Sequence, residues 1–340
     1  MMLSRRHALA GATALGAAAL TATGCARRDA TAGGGSDGGG GAQKLVLGHA
    51  GSDTDPRQAG SEQLKKLIEE RTEGRLTVEI HGNSTLGSWE QMIEGLQLGT
   101  THLVIESILS LEAYSELAAV ETAPFLYETD EQFFGVWDGE LGAEIKAALT
   151  EATGFELLGN MFRGARNLTA NQEVATLDAL QGLTVRTPST QTMVETWQTL
   201  GARAEAMAWD EVYSALEQGV IDGQENPLDV AAFNALYEVQ SHVMMTQHMY
   251  ANYHFLMWGD TLAGFSEEDQ TIIREAADEV GRTYTETTVT KLEEYRTTLE
   301  GEGMTFVELQ DREAWVEKVQ PIIDGLPEQV AAWVDQIKGG

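Results

Sequence analysis

The hydrophobic positions in the first part of the chain change period several times, which predicts alternating strands and helices. Leu76, Val78 and Ile80 alternate with polar residues, as in a half-buried strand, whereas Leu64 and Ile68 are four residues apart, as on one face of a helix. The predicted elements are, in order, a strand at 45–47, a helix from Pro56 that stops at Gly74, a strand at 76–80, a helix from Ser88 that ends at Gly99, and a strand at 102–105. This β-α-β-α-β order is typical of an α/β fold.

Polar residues follow the carboxyl ends of these three strands. His49 follows the first strand, Asn83 and Ser84 follow the second, and Glu106 ends the third. Ligands of open α/β sheets bind beyond the carboxyl ends of the strands, so we expect these residues to face one crevice. Glu106 is then either an acceptor for ligand hydroxyl groups or a solvated acid in a loop. His49 is either a ligand contact or a structural histidine.

Ser88 and Trp89 begin the second predicted helix and are weaker candidates for contacts in the same crevice. Ser88 is explained most simply as the helix N-cap, because a serine side chain accepts a hydrogen bond from a free backbone N–H of the first turn. Both residues remain candidate ligand contacts.

The second part of the chain also alternates strands and helices. The predicted elements are a helix at 139–150, a strand at 155–161, a strand at 183–186, a helix that follows Trp209 and Asp210 and ends at Gly219, a helix at 228–238, a long helix from Ser266 to about 300, and two short helices within 311–338. The dipeptide 222–223 is a turn signal, and Asn226 is predicted to cap a helix that begins with Pro227. The long helix, of roughly 35 residues and about 50 Å, is expected to span both halves of the protein.

Three histidines and four methionines lie between residues 242 and 258. A copper or zinc site is one interpretation of this composition. However, the six-residue spacing of His242, His248 and His254 places successive rings on different faces of a helix, and a strand long enough to align them is not expected here. Packing in an apolar core explains the segment better, and we predict no metal.

The charge distribution isolates a small group of arginines. The 340-residue chain has a formal net charge of -31, and Lys and Arg are absent from 76–145 and from 204–273. Arg163, Arg166, Arg186 and Arg203 lie between these two stretches. Such a group indicates an internal role, such as holding an anion, because the planar guanidinium meets a carboxylate with two parallel hydrogen bonds. A chain this acidic is not expected to bind nucleic acid, since phosphates are repelled.

Motifs for catalysis are absent from the sequence. The single cysteine lies near the N-terminus, and we find no Gly-x-Ser-x-Gly, no phosphate-binding Gly-x-x-x-x-Gly-Lys and no His-Glu-x-x-His. We therefore expect no enzyme activity and no cofactor. An exported enzyme acting on carboxylated sugars, with Glu106 and either Asp210 or Glu225 as acid and base, is the alternative.

The N-terminal residues form a predicted export signal followed by a flexible tether. Residues 4–9, SRRHAL, match a twin-arginine signal, and a short apolar run precedes Cys25, so 1–24 is predicted to be a signal peptide. Cys25 is the predicted lipidation site, although Ala22 stands where lipoprotein signals usually have leucine; an ordinary signal peptide is the alternative. Seven glycines lie within 26–42, and 25–43 is the predicted tether.

Several motifs together resemble one family of transport receptors. They are GNSTLGS at 82–88, GAR at 164–166, GLTVRTP at 182–188, MAWDEVYSALEQG at 207–219, VIDGQENP at 220–227 and YEVQ at 237–240. In these pieces the chain resembles the extracytoplasmic solute receptors of tripartite ATP-independent periplasmic (TRAP) transporters, the DctP family, over about residues 44–310. A receptor for an ATP-driven importer shares the two-lobed architecture and is the nearest alternative.

The resemblance implies a periplasmic-binding-protein-like fold of two α/β lobes, with the ligand in a cleft between them. Lobe 1 is then residues 44–163 with 252–291, and lobe 2 is 164–251 with 292–340. By the same resemblance Arg186 makes a two-pronged contact with a ligand carboxylate, assisted by Arg166 and Asn226. Trp209 forms a wall of the cleft or packs in the core.

The remaining expectations follow from the same resemblance. The predicted ligand is a small organic acid, with a uronate or other sugar acid first and a C4-dicarboxylate or keto acid second. The predicted partners are the small and large integral membrane subunits of a TRAP transporter. The receptor itself is expected to be an extracytoplasmic monomer.

Overall fold

A computed structural model describes residues 42–339 of the chain. The predicted signal peptide, Cys25 and nearly all of the predicted tether lie outside the described residues. Within them, nine strands form one mixed sheet in the order β2-β1-β3-β8-β4-β7-β5-β6, with β9 beside β8. The strands are β1 (Gln43–Gly48), β2 (Leu76–His81), β3 (Leu103–Ser107), β4 (Phe155–Ala170), β5 (Thr184–Thr187), β6 (Arg203–Ala206), β7 (Gly223–Asn226), β8 (His242–Trp258) and β9 (Thr305–Val307).

Helices cover both faces of this sheet. They are α1 (Pro56–Arg71), α2 (Trp89–Leu98), α3 (Ala119–Thr122), α4 (Asp130–Trp137), α5 (Glu140–Thr153), α6 (Leu177–Leu180), α7 (Gln191–Leu200), α8 (Trp209–Glu217), α9 (Leu228–Phe233), α10 (Gly259–Ala263), α11 (Glu267–Gly301), α12 (Arg312–Lys318), α13 (Gln320–Asp324) and α14 (Glu328–Gly339), with single 3-10 turns at Ile108–Leu111, Glu116–Ala118 and Leu236–Glu238.

Two long antiparallel strands, β4 and β8, connect the two lobes of the molecule. Their pairing runs from Phe155 opposite Trp258 to Ala170 opposite His242. At one end, β8 also pairs with β3 of the N-terminal β-α-β-α-β unit. At the other end, β4 pairs with β7, a strand of the second lobe. The lobes therefore share two continuous strands, and each lobe adds its own strands to them.

Each lobe has its own hydrophobic clusters, and α11 contributes to both. Ile273 and Val280, in the first half of α11, pack with residues of β1, α1 and β3. Tyr295 and Leu299, in its second half, pack with α8 and α9. The 35-residue helix thus spans both lobes, as the sequence predicted. The lobe boundaries remain a prediction, and Trp333 of α14 packs in a cluster of the first lobe.

Most predicted elements of the first lobe are confirmed, including their caps. Asp55 caps α1, with Pro56 at its first position, and Ser88 forms a capping box with Gln91 at the start of α2. Gly99 ends α2 in the left-handed conformation. These ends were predictable because each depends on a residue type with a local chemical preference.

Several predictions for the second lobe are wrong. Gly223 begins β7 rather than a turn, and Asn226 is the last residue of β7, not a helix cap; the helix begins at Leu228, after Pro227 in an extended conformation. The ladder with β4 keeps Asn226 extended, since it lies opposite Asn167. The helix predicted at 228–238 ends at Phe233, where left-handed Ala235 interrupts it. Residues 312–339 form three helices, not two.

The histidine- and methionine-rich segment is the 17-residue strand β8, longer than a strand was expected to be here. Its histidines are held by neighbours: the His254 ring meets the Gly159 carbonyl at 2.7 Å, and the His242 ring meets Ser241 Oγ at 2.8 Å. Within residues 42–339, no group of three or more His, Cys, Asp or Glu side chains is arranged to hold a metal ion. In the same residues, no helix is both long and apolar enough to cross a membrane.

The close approach of α11 to β4 predicts a glycine requirement. A Cβ atom on Gly281 of α11 would lie 2.6 Å from the Asn160 backbone nitrogen, whereas one on the exposed helical Gly135 of α4 would meet nothing within 4 Å. We expect Gly281→Ala to lower the free energy of unfolding by about 1–3 kcal/mol, because backbone atoms must move apart. Gly135→Ala, the control, should raise it by up to about 1 kcal/mol. Urea unfolding of both variants measures the difference, and equal behaviour would contradict the tight contact.

Candidate ligand-binding site

Six of the eight residues predicted to contact ligand line one cavity between the lobes. The cavity has a volume of about 70 Å³. The six are Arg166, Arg186, Asn226, Trp209, Glu106 and Trp89. Glu106 comes from the end of β3 in the first lobe, and Arg186 from β5 in the second. The carboxyl ends of strands in the two lobes therefore face the same space.

Arg186 is a buried cation without a carboxylate partner among the described residues. Its side chain is 3% exposed on a strand that pairs in parallel with β6 and β7. Nε and Nη2 donate to the Met207 carbonyl at 3.0 and 2.7 Å, and the guanidinium lies 5.5 Å from the centre of the Trp209 ring. Burial lowers the pKa of Arg186 to about 10. A guanidinium held this way is available to an anion entering the cavity.

Arg166 is paired within the protein. Its Nε and Nη2 donate to the two carboxylate oxygens of Glu225 at 2.6 and 2.7 Å, and Nη2 also reaches the Glu225 carbonyl at 2.8 Å. Burial alone would raise the pKa of Glu225, but the charge of Arg166 and a hydrogen bond from His248 lower it to about 2. Glu225 is therefore ionised, and the pair fixes the position of the Arg166 fork.

His248 braces this pair from behind. Its Nε2 donates to Glu225 at 3.0 Å, and its Nδ1 lies 2.8 Å from Thr246 Oγ1. Burial lowers the pKa of His248, with the hydrogen bond to Glu225 opposing it, so the ring is neutral. A neutral ring with one donor and one acceptor satisfies both contacts.

A strand irregularity brings Arg163 and Arg166 to the same cavity. Residues three apart on a regular strand point to opposite faces of the sheet. Between them, however, the register of β4 against β8 shifts from Phe162 to Ala165, and Gly164 has a φ of 87°. Glycine accepts this left-handed conformation without steric cost. The bulge turns both guanidinium groups into the space between the lobes.

Arg163 and Arg57 both lie over the Tyr253 ring, 3.9 and 4.9 Å from its centre. Arg57 is paired with Asp55 through two hydrogen bonds of 2.9 and 2.8 Å. Arg163 makes no ion pair within residues 42–339; it donates from Nη1 to Ser107 Oγ at 3.4 Å, and its buried Nε has no partner there. The cavity wall thus holds four arginines, two of them paired with carboxylates.

Two further buried acids lie near these arginines. Burial raises the pKa of Glu106, against the influence of Arg57 and Arg163. Burial also raises the pKa of Asp229, next to the lining residue Val230, to about 6, with Arg163 opposing the shift. These carboxyl groups are less readily ionised than Glu225, so the cavity keeps a positive character around Arg186.

The structure does not bring His49, Ser88 or Arg203 to this cavity. His49 is fully buried beneath it, with Nε2 3.1 Å from Gln58 Oε1. Ser88 accepts a hydrogen bond from the Gln91 backbone and is occupied as the N-cap of α2. Arg203 is exposed on β6. The first two were expected from strand ends and chain proximity, which place a residue near a crevice without fixing the direction of its side chain.

The acid and base pair of the enzyme alternative is not assembled either. Glu225 is committed to Arg166 and His248, and its low pKa makes it a poor base. Asp210 is exposed and does not line the cavity. Glu106 therefore has neither of the proposed carboxylate partners.

Sequence reasoning missed several residues of the wall. Arg57 and Tyr253 were not considered, and Arg163 was noticed as part of the arginine group but not placed in the site. The spacing of residues along the chain does not reveal the bulge at Gly164. The GAR motif that contains this glycine was, however, one of the motifs that resemble the DctP family. Tyr253 lies inside a long apolar strand and carries no distinguishing local signal.

Comparisons with known proteins agree with this geometry. The model of the bacterial extracellular solute-binding protein family 7, DctP, matches residues 47–329. A solute-binding protein of Roseobacter denitrificans is 31% identical over 293 residues, covering 86% of this chain and 90% of that protein. The crystal structure of this same relative, a TRAP periplasmic solute-binding protein with bound L-galactonate, has a TM-score of 0.82 at 30% identity and covers 88% of this chain and 100% of that one. Another, from Chromohalobacter salexigens with bound D-glucuronate, has a TM-score of 0.83 at 26% identity, covering 87% and 99%.

Arg166 has a carboxylate partner and Arg186 has none, so replacing them is predicted to change the free energy of unfolding by different amounts. Arg166→Met should lower the free energy of unfolding of the ligand-free protein by about 3–5 kcal/mol, because Glu225 stays buried without its cation. Arg186→Met should change it by less than about 1 kcal/mol or raise it, since a buried charge without a carboxylate partner is removed. Urea unfolding after removal of any co-purified ligand measures both. Equal losses in the two variants would contradict the assignment of Arg186 as a cation without a carboxylate partner.

Proposed function

This chain belongs to the bacterial extracellular solute-binding protein family 7, DctP, and we propose that it is a TRAP transporter receptor for a sugar acid, either a uronate or an aldonate. The observation that carries the proposal is the buried Arg186 guanidinium, which faces a cavity and has no carboxylate partner within the described residues. The relatives solved with L-galactonate and D-glucuronate support a sugar acid as the ligand class. A C4-dicarboxylate or keto acid is the second choice.

The ligand carboxylate would meet the second-lobe side of the cavity. Arg186 supplies the two-pronged contact, and the Nη1 group of Arg166 approaches the same oxygens while its other nitrogens hold Glu225. Asn226 donates from Nδ2 to Gln224 Oε1 at 2.7 Å and keeps its second N–H for the ligand. Such charge-assisted hydrogen bonds contribute about 1.5–3 kcal/mol each.

The rest of the ligand would contact the first lobe and the tryptophans. Glu106 at the end of β3 accepts hydrogen bonds from sugar hydroxyls, and Trp89 and Trp209 supply apolar faces for the carbon skeleton. His49 and Ser88 have no part in this arrangement, because both are engaged elsewhere. The ligand would bridge the lobes, which would close on it as rigid bodies about the shared strands.

A receptor of this kind passes its ligand to a membrane permease. We propose the small and large integral membrane subunits of a TRAP transporter as partners, with the receptor acting as a monomer and without enzymatic activity. The ligand would then be released chemically unchanged.

Calorimetric titration tests the ligand class and the role of Arg186 together. We expect at least one acid among D-glucuronate, D-galacturonate, L-galactonate and L-gulonate to bind, and to bind more tightly than succinate or pyruvate. Arg186→Ala should weaken that binding by about 2–5 kcal/mol, because the ligand carboxylate would be buried without its cation.

Arg203→Ala is the matched control, since it removes an exposed arginine on the neighbouring strand β6. Its dissociation constant should stay within about twofold of the wild type. Arg186→Ala binding within a few-fold of the wild type, or binding of none of these acids, would refute the proposal.

We also propose that the signal peptide is cleaved between Gly24 and Cys25, and that Cys25 then carries lipid and anchors the receptor at the outer face of the cell membrane. The basis is the sequence alone: the small residues before Cys25 and the glycine-rich 26–42 segment after it. A tether of this length and composition would reach roughly 20–25 Å, which keeps the receptor at a high effective concentration near its permease.

The anchor proposal predicts a change of location without a change of affinity. Cys25→Ser should move the protein from the membrane pellet to the soluble fraction, because the attachment site for the acyl chains is lost. Its dissociation constant for the sugar acid should not change. If the variant still sediments with membranes, or if mass spectrometry finds Cys25 unmodified, the anchor proposal is wrong. The receptor would then be exported without a lipid anchor.

A further inference from the structure

A second, larger space adjoins the arginine-lined cavity. It has a volume of about 430 Å³, against about 70 Å³ for the inner one, and the two share Trp89 and Leu109 in their walls. We call it the outer chamber. It lies between the segment that follows β3, the start of α7, and the turn between α13 and α14. The inner cavity alone offers little room, so a group added at the end of the ligand farthest from Arg186 would have to lie in this chamber, past Trp89 and Leu109.

The chemistry of the outer chamber is the opposite of that of the inner cavity. Its polar lining includes three glutamates and four hydroxyl residues: Glu112, Glu116, Glu195, Ser110, Ser189, Thr190 and Thr192. No lysine or arginine is among the described residues of its wall, whereas the inner cavity has four arginines. A second anionic group would be repelled here. Carboxylates and hydroxyls are instead suited to the hydroxyl groups of an uncharged sugar.

One polar group of the chamber is left without a partner. Thr190 is 3% exposed, and its Oγ1 makes no hydrogen bond within residues 42–339. It stands at the N-cap position of α7, where a threonine usually bonds to the first turn, yet no such bond is made. A buried hydroxyl without a partner is costly. Thr190 belongs to the chamber wall, so a small adjustment of that wall would let this hydroxyl bond to a ligand group.

Glu112 is positioned by both lobes. Its Oε2 accepts from the Thr192 backbone nitrogen at 3.3 Å, and its Oε1 accepts from Thr122 Oγ1 at 2.5 Å. The first contact joins the segment after β3 to the start of α7, across the cleft. This carboxylate is thus held in place at the chamber wall, with lone pairs remaining for further donors.

We propose that the outer chamber is a second subsite that takes an uncharged glycosyl group, so that the receptor accepts a sugar acid carrying one neutral sugar. The proposal rests on the proposed function, because Arg186 must fix the carboxylate end. Trp89, in the wall of both spaces, offers an aromatic face where the two sugar units join. The acid end then lies among arginines, and the neutral end lies among carboxylates and hydroxyls.

The test compares an acid with its own glycoside by calorimetry. The parent is the monosaccharide acid that binds most tightly in the titrations above, and the probe is the same acid with one neutral glucosyl group on the hydroxyl farthest from the carboxylate. We expect the probe to bind within about threefold of the parent or more tightly, since the chamber already has room for the added ring.

A matched pair of variants locates the added ring. Glu195→Trp fills the chamber from α7 and should raise the ratio of the probe's dissociation constant to the parent's by at least about tenfold. Gln198→Trp, at another exposed position of the same helix that is not part of the chamber wall, should leave the ratio as in the wild type.

Three results would overturn the subsite. The first is a probe that binds more than about a hundredfold more weakly than a parent that binds well. The second is a Glu195→Trp variant in which the ratio of the probe's dissociation constant to the parent's is unchanged. The third is a Gln198→Trp variant in which this ratio changes as much as in Glu195→Trp. In each of these the parent still binds, so the receptor function stands. Failure of every monosaccharide acid to bind would instead refute the receptor proposal, and the subsite with it.

Discussion

The pairing of β4 with β8 is the constraint on which the rest of the structure depends. These strands run through both lobes, so the lobes are joined by a shared ribbon and not by separate linkers. The same ribbon carries Arg163, Arg166, His248 and Tyr253, and its register shifts decide which side chains face the cleft. A change in the ribbon that accompanies lobe closure would therefore also reposition the charged groups that meet the ligand. Architecture and binding chemistry are joined in one structural element.

Charge pairing divides the arginines of the site into two kinds. Arg57 and Arg166 each meet a carboxylate through two hydrogen bonds, so they are neutralised before any ligand arrives. Arg186 is neutralised by no carboxylate in the described protein, and burial lowers its pKa. The free protein bears the cost of that buried charge, and a ligand carboxylate bound at Arg186, as proposed, would remove that cost. Part of the binding free energy would thus come from removing an electrostatic cost that the ligand-free fold already carries.

The sequence predicted local features better than it predicted side-chain directions. The caps of α1 and α2 and the extent of α11 follow from residue types and spacing, and all are present. Of the residues at the three strand ends expected to face one crevice, only Glu106 lines the cavity. The end of β7 was misread because the pairing of Asn226 with β4, 59 residues away at Asn167, overrides the local Asn-Pro signal. For His49, strand ends left open a ligand contact or a structural histidine; its ring lies 3.1 Å from Gln58 Oε1, outside the cavity wall. Such errors arise wherever a tertiary contact decides between two locally allowed conformations.

The net charge of -31 poses the question of how so acidic a protein binds an acid. Exposed carboxylates act through water and salt, where the Debye length is about 8 Å, so their repulsion fades before it reaches the cavity. Arg186 and Arg163 are at most 4% exposed, and their fields act through a medium that screens them much less. Glu106 and Asp229, the nearby acids not committed to an ion pair, have pKa values raised by burial, which weakens their opposition to a bound anion. Surface charge and cavity charge are therefore set separately, and affinity for a carboxylate depends on the few buried groups and not on the many exposed ones.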